Sequence, residues 1–459
     1  MLSAMRLLLC TCLLLLASLV SAGGDSRHVV LVTIDGFANF HLKDPALDLP
    51  VIRRLAAEGV EAESGETVFP SVTHPSHTTL VTGVTPRKHG VLSNRLVDRT
   101  TGEEFHVTNK PRTWMVRVPT LFDAVRAKGL TSASFFWPET KDDPAIDFNF
   151  PEVFAATNVP DRDAVPPAVL RELRDAGIDI DDYFRYYHDP HAHSASDLVL
   201  AQAAAYAIRT HRPALTAIHF LETDIVQHEV GPAHYRSRAA LTAADRAVGV
   251  LVEAVEKAGL SANTTFVVTA DHGFATVEHE VNVAPLFASL SDRVKLHPGG
   301  WSLYVELLPA FDRQRDGAAL EQALAAALRL PGVARLVRPG EFHALGLPTY
   351  DESPYVRGHY LLIGEVDTFL TARPDSSSTS RVKRASPYHG HGYLPTHPSM
   401  HTAVVLSGRG VRKGARIGQV RSLDIAPTIA RLLGVELRDV EGRVLSEALD
   451  EEAGSATAR

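Results

Sequence analysis

VVLVTIDGF (residues 29–37) is a run of aliphatic and β-branched residues that ends in Asp35 and breaks at Gly36. An uninterrupted apolar run of this length reads as a strand covered on both faces, the habit of parallel sheets. FVVTADHGF (266–274) repeats the pattern and ends in Asp271 and His272. Around these runs, DLPVIRRLAAEG (48–59), PTLFDAVRAKGLTSASFFW (119–137) and ALTAADRAVGVLVEAVEKAGL (240–260) alternate helix-like and strand-like stretches. That rhythm predicts an α/β fold built on a largely parallel sheet flanked by helices. Ligands in such folds bind outside the C-terminal ends of the strands, where Asp35, Asp271 and His272 would lie.

The core is predicted over 23–275 and 386–448, closing with TAVVLSG (402–408) and DIAPTIARLLG (424–434). Between its two parts, 276–385 reads as a small α+β cap insertion, from WSLYVELL (301–308), ALEQALAAALRL (319–330) and HYLLIGEV (359–366). ARPDSSSTSRVKRAS (372–386) is polar and serine-rich and reads as a solvated surface loop. Residues 139–197 are rich in Pro, Asp and His and read as a lobe edge or lid, and 449–459 as a flexible tail.

Seven residues on separate segments carry the chemistry: Asp35, Thr73, Asp224, His228, Asp271, His272 and His391. Carboxylates and imidazoles are ligands suited to Zn²⁺, and a paired metal site can hold both the attacking and the leaving oxygen of a phosphoryl displacement. DIVQH (224–228) puts Asp224 and His228 on one face of a helix. Thr73 precedes Pro75 and a stretch that stops at Gly83, so it falls at a helix start, where backbone N–H groups favour negative charge. Any one of these aspartates alone would be a cap or turn residue, and several of the 22 histidines are bystanders. His77, His89, His389, His397 and His401 are assigned to that role.

The chain has 459 residues, 45% hydrophobic and 22% charged, the usage of a globular enzyme. Residues 1–22 read as a secretory signal: Arg6, then LLLCTCLLLLASLV, then VSA before Gly23. Removing it takes away one positive charge, so the net charge moves from −8 to −9, which gives no support for nucleic-acid polymer as a partner. Both cysteines, Cys10 and Cys12, leave with it, which fits an exported, periplasmic or secreted bacterial enzyme without disulfides. No later apolar run is long enough to span a membrane.

In this order, the segments resemble the nucleotide pyrophosphatase/phosphodiesterase family of the alkaline phosphatase superfamily. The resemblance runs from VLVTIDGF at residue 30 to LDIAPTIARLLGV ending at residue 435, and THPSHTTLVTGVTPRKHGVLSN (73–94) is similar to the family's nucleophile segment. It implies an alkaline-phosphatase-like core and Thr73 as nucleophile. It implies Asn94 as the amide that binds a phosphate oxygen. One zinc would be held by Asp224, His228 and His391, and a second by Asp35, Asp271, His272 and the Thr73 oxygen. The expected substrate is a small phosphodiester or pyrophosphate, nucleotide-like, cleaved through a phosphothreonine intermediate.

Three positions depart from the family pattern. His74 stands where a base-stacking Phe is common, Ser76 replaces a common Asn, and WPET (137–140) stands where WPG followed by Ser or Thr is usual. His74, Tyr186 and Tyr187, the last two in DDYFRYYHD (181–189), are candidates to line the substrate pocket. Rival readings on the same scaffold are a phosphomonoesterase, a phosphonoacetate hydrolase and a non-catalytic metal- or ligand-binding relic. A sulfatase would need a Cys or Ser nucleophile in a C/S-x-P-x-R context, which is absent here. A cofactor-independent phosphoglycerate mutase normally uses Ser and manganese, and a phosphoethanolamine transferase normally carries transmembrane helices.

Overall fold

The computed structural model describes residues 26–154, 160–187, 189 and 193–450. The signal assigned to 1–22 lies outside the described residues. The central sheet has eight strands, in the order Ala415–Ile417, Val60–Ala62, Val404–Gly408, Thr264–Thr269, His28–Ile34, Leu215–Phe220, Ser132–Trp137 and Phe148–Pro151. His28–Ile34 sits in its middle and pairs in parallel with Leu215–Phe220 on one side and Thr264–Thr269 on the other. Val404–Gly408 runs antiparallel to both of its neighbours, so the sheet is largely parallel rather than wholly so. All seven residues of His28–Ile34 are buried, as the continuous apolar run requires. Helices His193–Thr210 and Tyr235–Lys257 cover one face, in a cluster that includes Leu200, Ala204, Val248 and Leu251. Helices Leu121–Ala127 and Ile425–Leu433 cover the other.

The cap carries a four-stranded sheet, Val294–Gly299, Ser302–Leu307, Tyr360–Gly364 and Val333–Val337, packed on helix Arg313–Leu328. A three-stranded sheet of Thr368–Thr371, Ala275–Asn282 and Val382–Gly390 makes the junction with the core. The serine-rich stretch is partly strand, and its cations face cap carboxylates. Arg373 and Arg384 pair with Glu280 at 2.6 and 3.2 Å, and Arg381 pairs with Asp367.

Two expectations need correction. The 139–197 piece is more than a lid, because Phe148–Pro151 forms the edge strand of the central sheet with Phe148 and Phe150 in the core. Leu449 and Asp450 do not belong to a tail. Leu449 is buried and bridges Val411, and the Asp450 N–H donates to Gly410 O at 3.1 Å. Residues 451–459 lie outside the described residues.

Candidate active site

The strands deliver their ligand-type residues to one edge of the sheet. Asp35 follows His28–Ile34, Asp271 and His272 follow Thr264–Thr269, and helix Glu222–Val230, which carries Asp224 and His228, follows Leu215–Phe220. His391 follows Val382–Gly390. Gly36 makes the sharp turn after Asp35 at φ 67°, and a Cβ there would lie 2.9 Å from Gln227 Nε2 and 3.0 Å from the Phe274 ring. Helix Thr73–Thr82 begins at Thr73 and stops at Gly83, whose φ of 69° gives a left-handed C-cap.

Six of these side chains form two groups able to hold metal: Asp35, Asp271 and His272 in one, and Asp224, His228 and His391 in the other. In the first, His272 Nε2 lies 3.1 Å from Asp35 Oδ1 and 3.2 Å from Asp271 Oδ2. In the second, the Nε2 atoms of His228 and His391 each lie 3.4 Å from Asp224 Oδ1. The groups adjoin, since the rings of His272 and His391 stack at 3.5 Å. Asp35 Oδ1, Asp224 Oδ1, Asp271 Oδ2 and His272 Nε2 are buried yet have no hydrogen-bond partner. Buried polar atoms without partners are costly, so inward-facing orphan ligand atoms fit cations well. Each histidine has its other ring nitrogen on a backbone carbonyl: His228 Nδ1 on His389 O at 2.7 Å, His272 Nδ1 on Gly273 O at 3.0 Å and His391 Nδ1 on Ser71 O at 3.1 Å. This is how metal-binding imidazoles are oriented, with Nε2 left free.

The electrostatics agree. Burial, then the charge of Asp35, pushes the Asp271 carboxyl up to about 7. Burial opposes a charged His272, but Asp271 and Asp35 outweigh it and raise the ring to about 9. Like charges crowded out of water attract protons wherever no other cation balances them.

Thr73 is buried and lines a pocket of about 460 Å³ that Asn94, Arg95, Asp224, His228 and His391 also line. Asn94 Oδ1 accepts from the His74 N–H at 3.0 Å, which leaves the amide NH₂ to donate into the pocket. Arg87 and Lys88 point elsewhere, to Glu352 and to Asp439 O. Arg95, directly after Asn94, is the cation that sequence reasoning missed.

Of the three pocket candidates, Tyr187 lines the wall beside Phe154, while Tyr186 does not. On helix Ile180–Tyr187 the Tyr186 hydroxyl donates to Asp182 Oδ2 at 3.0 Å, one turn back. His74 reaches the pocket but is only 2% exposed and meets His106 edge-on at 4.8 Å, so it offers no open face for stacking. Its Nδ1 lies 2.9 Å from Glu139 Oε1, the acidic residue of WPET. Two of the three departures from the family pattern therefore meet as one buried pair.

His219, unmarked in the sequence because it sits within the apolar strand Leu215–Phe220, is fully buried behind Asp35. Its Nε2 is 3.1 Å from Asp35 Oδ2 and its Nδ1 is 3.2 Å from Glu152 Oε2. Two of the assigned bystanders also touch the site: His77 Nδ1 lies 2.9 Å from Thr73 O and 3.7 Å from Asp271 Oδ2, and His389 supplies the carbonyl that orients His228. His219→Gln should weaken metal retention by roughly tenfold to a hundredfold, the usual cost of losing a partner behind a ligand. Competition with a chromophoric chelator measures this, and unchanged retention would make His219 a packing residue only.

The match to known proteins agrees with this geometry. The model for type I phosphodiesterase/nucleotide pyrophosphatase covers residues 29–333, and the chain belongs to that family, a metal-dependent group of phosphodiester hydrolases. It is 23% identical over 418 residues to the bis(5'-adenosyl)-triphosphatase of Xenopus laevis, covering 90% of this chain and 78% of that protein. It is 27% identical over 256 residues to ectonucleotide pyrophosphatase/phosphodiesterase family member 3 of Rattus norvegicus, of whose length it spans 25%. Human ectonucleotide pyrophosphatase/phosphodiesterase 5 shares the fold, with a TM-score of 0.68 at 16% identity over 92% of this chain and all of that one.

Proposed function

We propose that the chain is an exported two-zinc phosphodiesterase that works through a phosphothreonine intermediate on small nucleotide-like diesters or pyrophosphates. The observation that carries this reading is the set of orphaned carboxylate and imidazole atoms facing inward beside Thr73. Export is supported by ecto- and venom enzymes among the relatives, and no helix of the described residues is long and apolar enough to cross a membrane. A nucleotide-like substrate is supported by the diadenosine triphosphatase relative and by a murine neighbour, TM-score 0.65, in complex with AMP.

One zinc would be held by Asp35, Asp271, His272 and the Thr73 oxygen, the other by Asp224, His228 and His391. When bound, zinc lowers the pKa of a coordinated hydroxyl and neutralises charge on the attacking and leaving oxygens. Thr73 Oγ1 attacks phosphorus, the ester oxygen departs on the opposite side, and water then displaces Thr73 in line. Helix Thr73–Thr82 turns its positive end towards the developing charge, while the N–H groups of His74 and Ser76 in its first turn donate to Asn94 Oδ1 and Val72 O. The Asn94 amide donates to an equatorial oxygen. Asn94→Ala should lower kcat on the order of a hundredfold, the typical cost of one such donor. An unchanged kcat would assign Asn94 to holding the start of the helix.

Diesters should be preferred over monoesters, because the partner for a non-bridging oxygen is a neutral amide. The second reading, a phosphomonoesterase, is favoured by Arg95 on the pocket wall, which could meet the extra charge of a dianion. The kcat/KM ratio of bis-p-nitrophenyl phosphate to p-nitrophenyl phosphate, at matched pH and zinc, decides between them. A ratio above one is expected, and a ratio well below one hands the site to monoesters.

A further inference from the structure

A second pocket, of about 270 Å³, lies between core and cap and shares Val72, Ser93, Arg95 and His391 with the pocket of Thr73. The two are adjoining compartments with a common wall next to the nucleophile and one metal group. The Thr73 pocket has the phosphoryl-facing groups and the apolar Phe154, Leu221 and Ile225. The cap-side pocket has another character. Its lining includes Trp301, Tyr304 and Tyr355, with two guanidinium groups, Arg95 and Arg357, against one carboxylate, Glu104.

Arg357 is held in place without being neutralised. One of its guanidinium N–H groups donates to His297 Nδ1 at 3.2 Å, and the other ring nitrogen of His297 donates to Glu306 Oε2 at 2.7 Å. The imidazole therefore serves as a neutral spacer. Its pKa is lowered, burial being the main cause, which keeps Nδ1 available as an acceptor. Among the ion pairs of the described residues, none joins Arg357 to a carboxylate, and the side chain is exposed. A guanidinium that is aimed by a hydrogen bond but left without a counter-charge is a receptor for phosphate oxygen.

In-line displacement sends the two groups on phosphorus in different directions, the retained one staying with Thr73 and the other departing. We propose that the cap-side pocket is the subsite for the departing group and that Arg357 selects a departing group bearing a phosphate. This rests on the hydrolase reading above. The reaction stays in balance: the P–O bond to the departing group breaks, its electron pair leaves with that oxygen, and Arg357 binds a charge already present on the departing phosphate.

The experiment uses two substrates with the same retained group, adenosine 5'-monophosphate. In its p-nitrophenyl ester the departing group has no phosphate, whereas in P1,P2-diadenosine pyrophosphate it has one. Arg357→Ala should lower kcat/KM for the pyrophosphate by roughly tenfold to a hundredfold, the range for losing a hydrogen bond to a charged group, while the ester stays within about twofold. Arg357→Lys should recover part of the loss, since it restores charge without the planar fork. Equal loss on both substrates, or no loss on either, overturns the subsite. A wild-type enzyme that cleaves neither compound overturns the hydrolase reading itself, and with it this one.

Discussion

Thr73→Ala should reduce turnover of any diester on the order of 10⁴-fold or more, the scale seen when a covalent nucleophile is removed while the rest of the site stands. The substitution removes one hydroxyl and one methyl group from a helix start that has no side-chain cap to lose, so the fold should persist. Both carboxylate–histidine groups should still take up metal, since six of the seven proposed ligands remain. Thr73→Ser should retain partial activity because the oxygen stays. Trapping ³²P from a labelled diester on the wild-type chain, but not on Thr73→Ala, would place the phosphoryl group. Normal turnover by Thr73→Ala would leave direct attack by water as the route.

The second large effect is expected at Asp35. Its two oxygens face different imidazoles: Oδ2 is hydrogen-bonded to His219 at 3.1 Å, while Oδ1 lies 3.1 Å from His272 Nε2 without a hydrogen bond to it. Burial works against its charge, yet His272 and His219 hold its carboxyl well below the usual carboxylate range. Asp35→Asn keeps the volume and removes the charge. Metal content should fall from about two ions per chain towards one, and activity should drop to background. The wild type should also release protons on loading. Below about 7 for Asp271 and about 9 for His272, each group carries a proton that an entering cation must displace, so affinity falls as pH falls through that range. Elemental analysis and pH-stat titration read these effects. Full activity of Asp35→Asn after exhaustive dialysis against chelator would remove metal from the proposed chemistry.

The parts of the site that the sequence revealed are those where chemistry and local structure share a short segment. VVLVTID and FVVTAD announce a buried strand and a carboxylate together, DIVQH has helical spacing, and Thr73 lies between an extended stretch and a proline in the first turn. What escaped notice depends on contacts between distant segments. Phe148–Pro151 is four residues long, ends in proline and carries no periodic signal, yet pairing with Ser132–Trp137 makes it a strand. His219 looks like one more buried residue of its strand until Asp35 and Glu152 are brought to either side of it. Tyr186 is likewise not separable from Tyr187 by sequence: once the structure buries Tyr183, the four-residue spacing on helix Ile180–Tyr187 puts Tyr187 on its side and turns Tyr186 away.

The His74–Glu139 contact also sets how far either position can change alone. Where the family pattern has phenylalanine and glycine, this chain has an imidazole and a carboxylate whose side chains are 2% and 3% exposed. Each residue loses its nearest opposite charge when the other is replaced, and breaking a buried pair by removing one partner costs roughly 3–5 kcal/mol, a large share of the 5–15 kcal/mol that typically separates folded from unfolded chains. The two halves are not equally costly, however. A histidine can enter a buried position uncharged, whereas a lone carboxylate must carry its charge or hold a proton against its normal pKa. Replacing His74 alone therefore leaves the Glu139 carboxylate buried with the Thr78 hydroxyl, 3.0 Å from its Oε2, whereas replacing Glu139 alone leaves a histidine that can shed its proton.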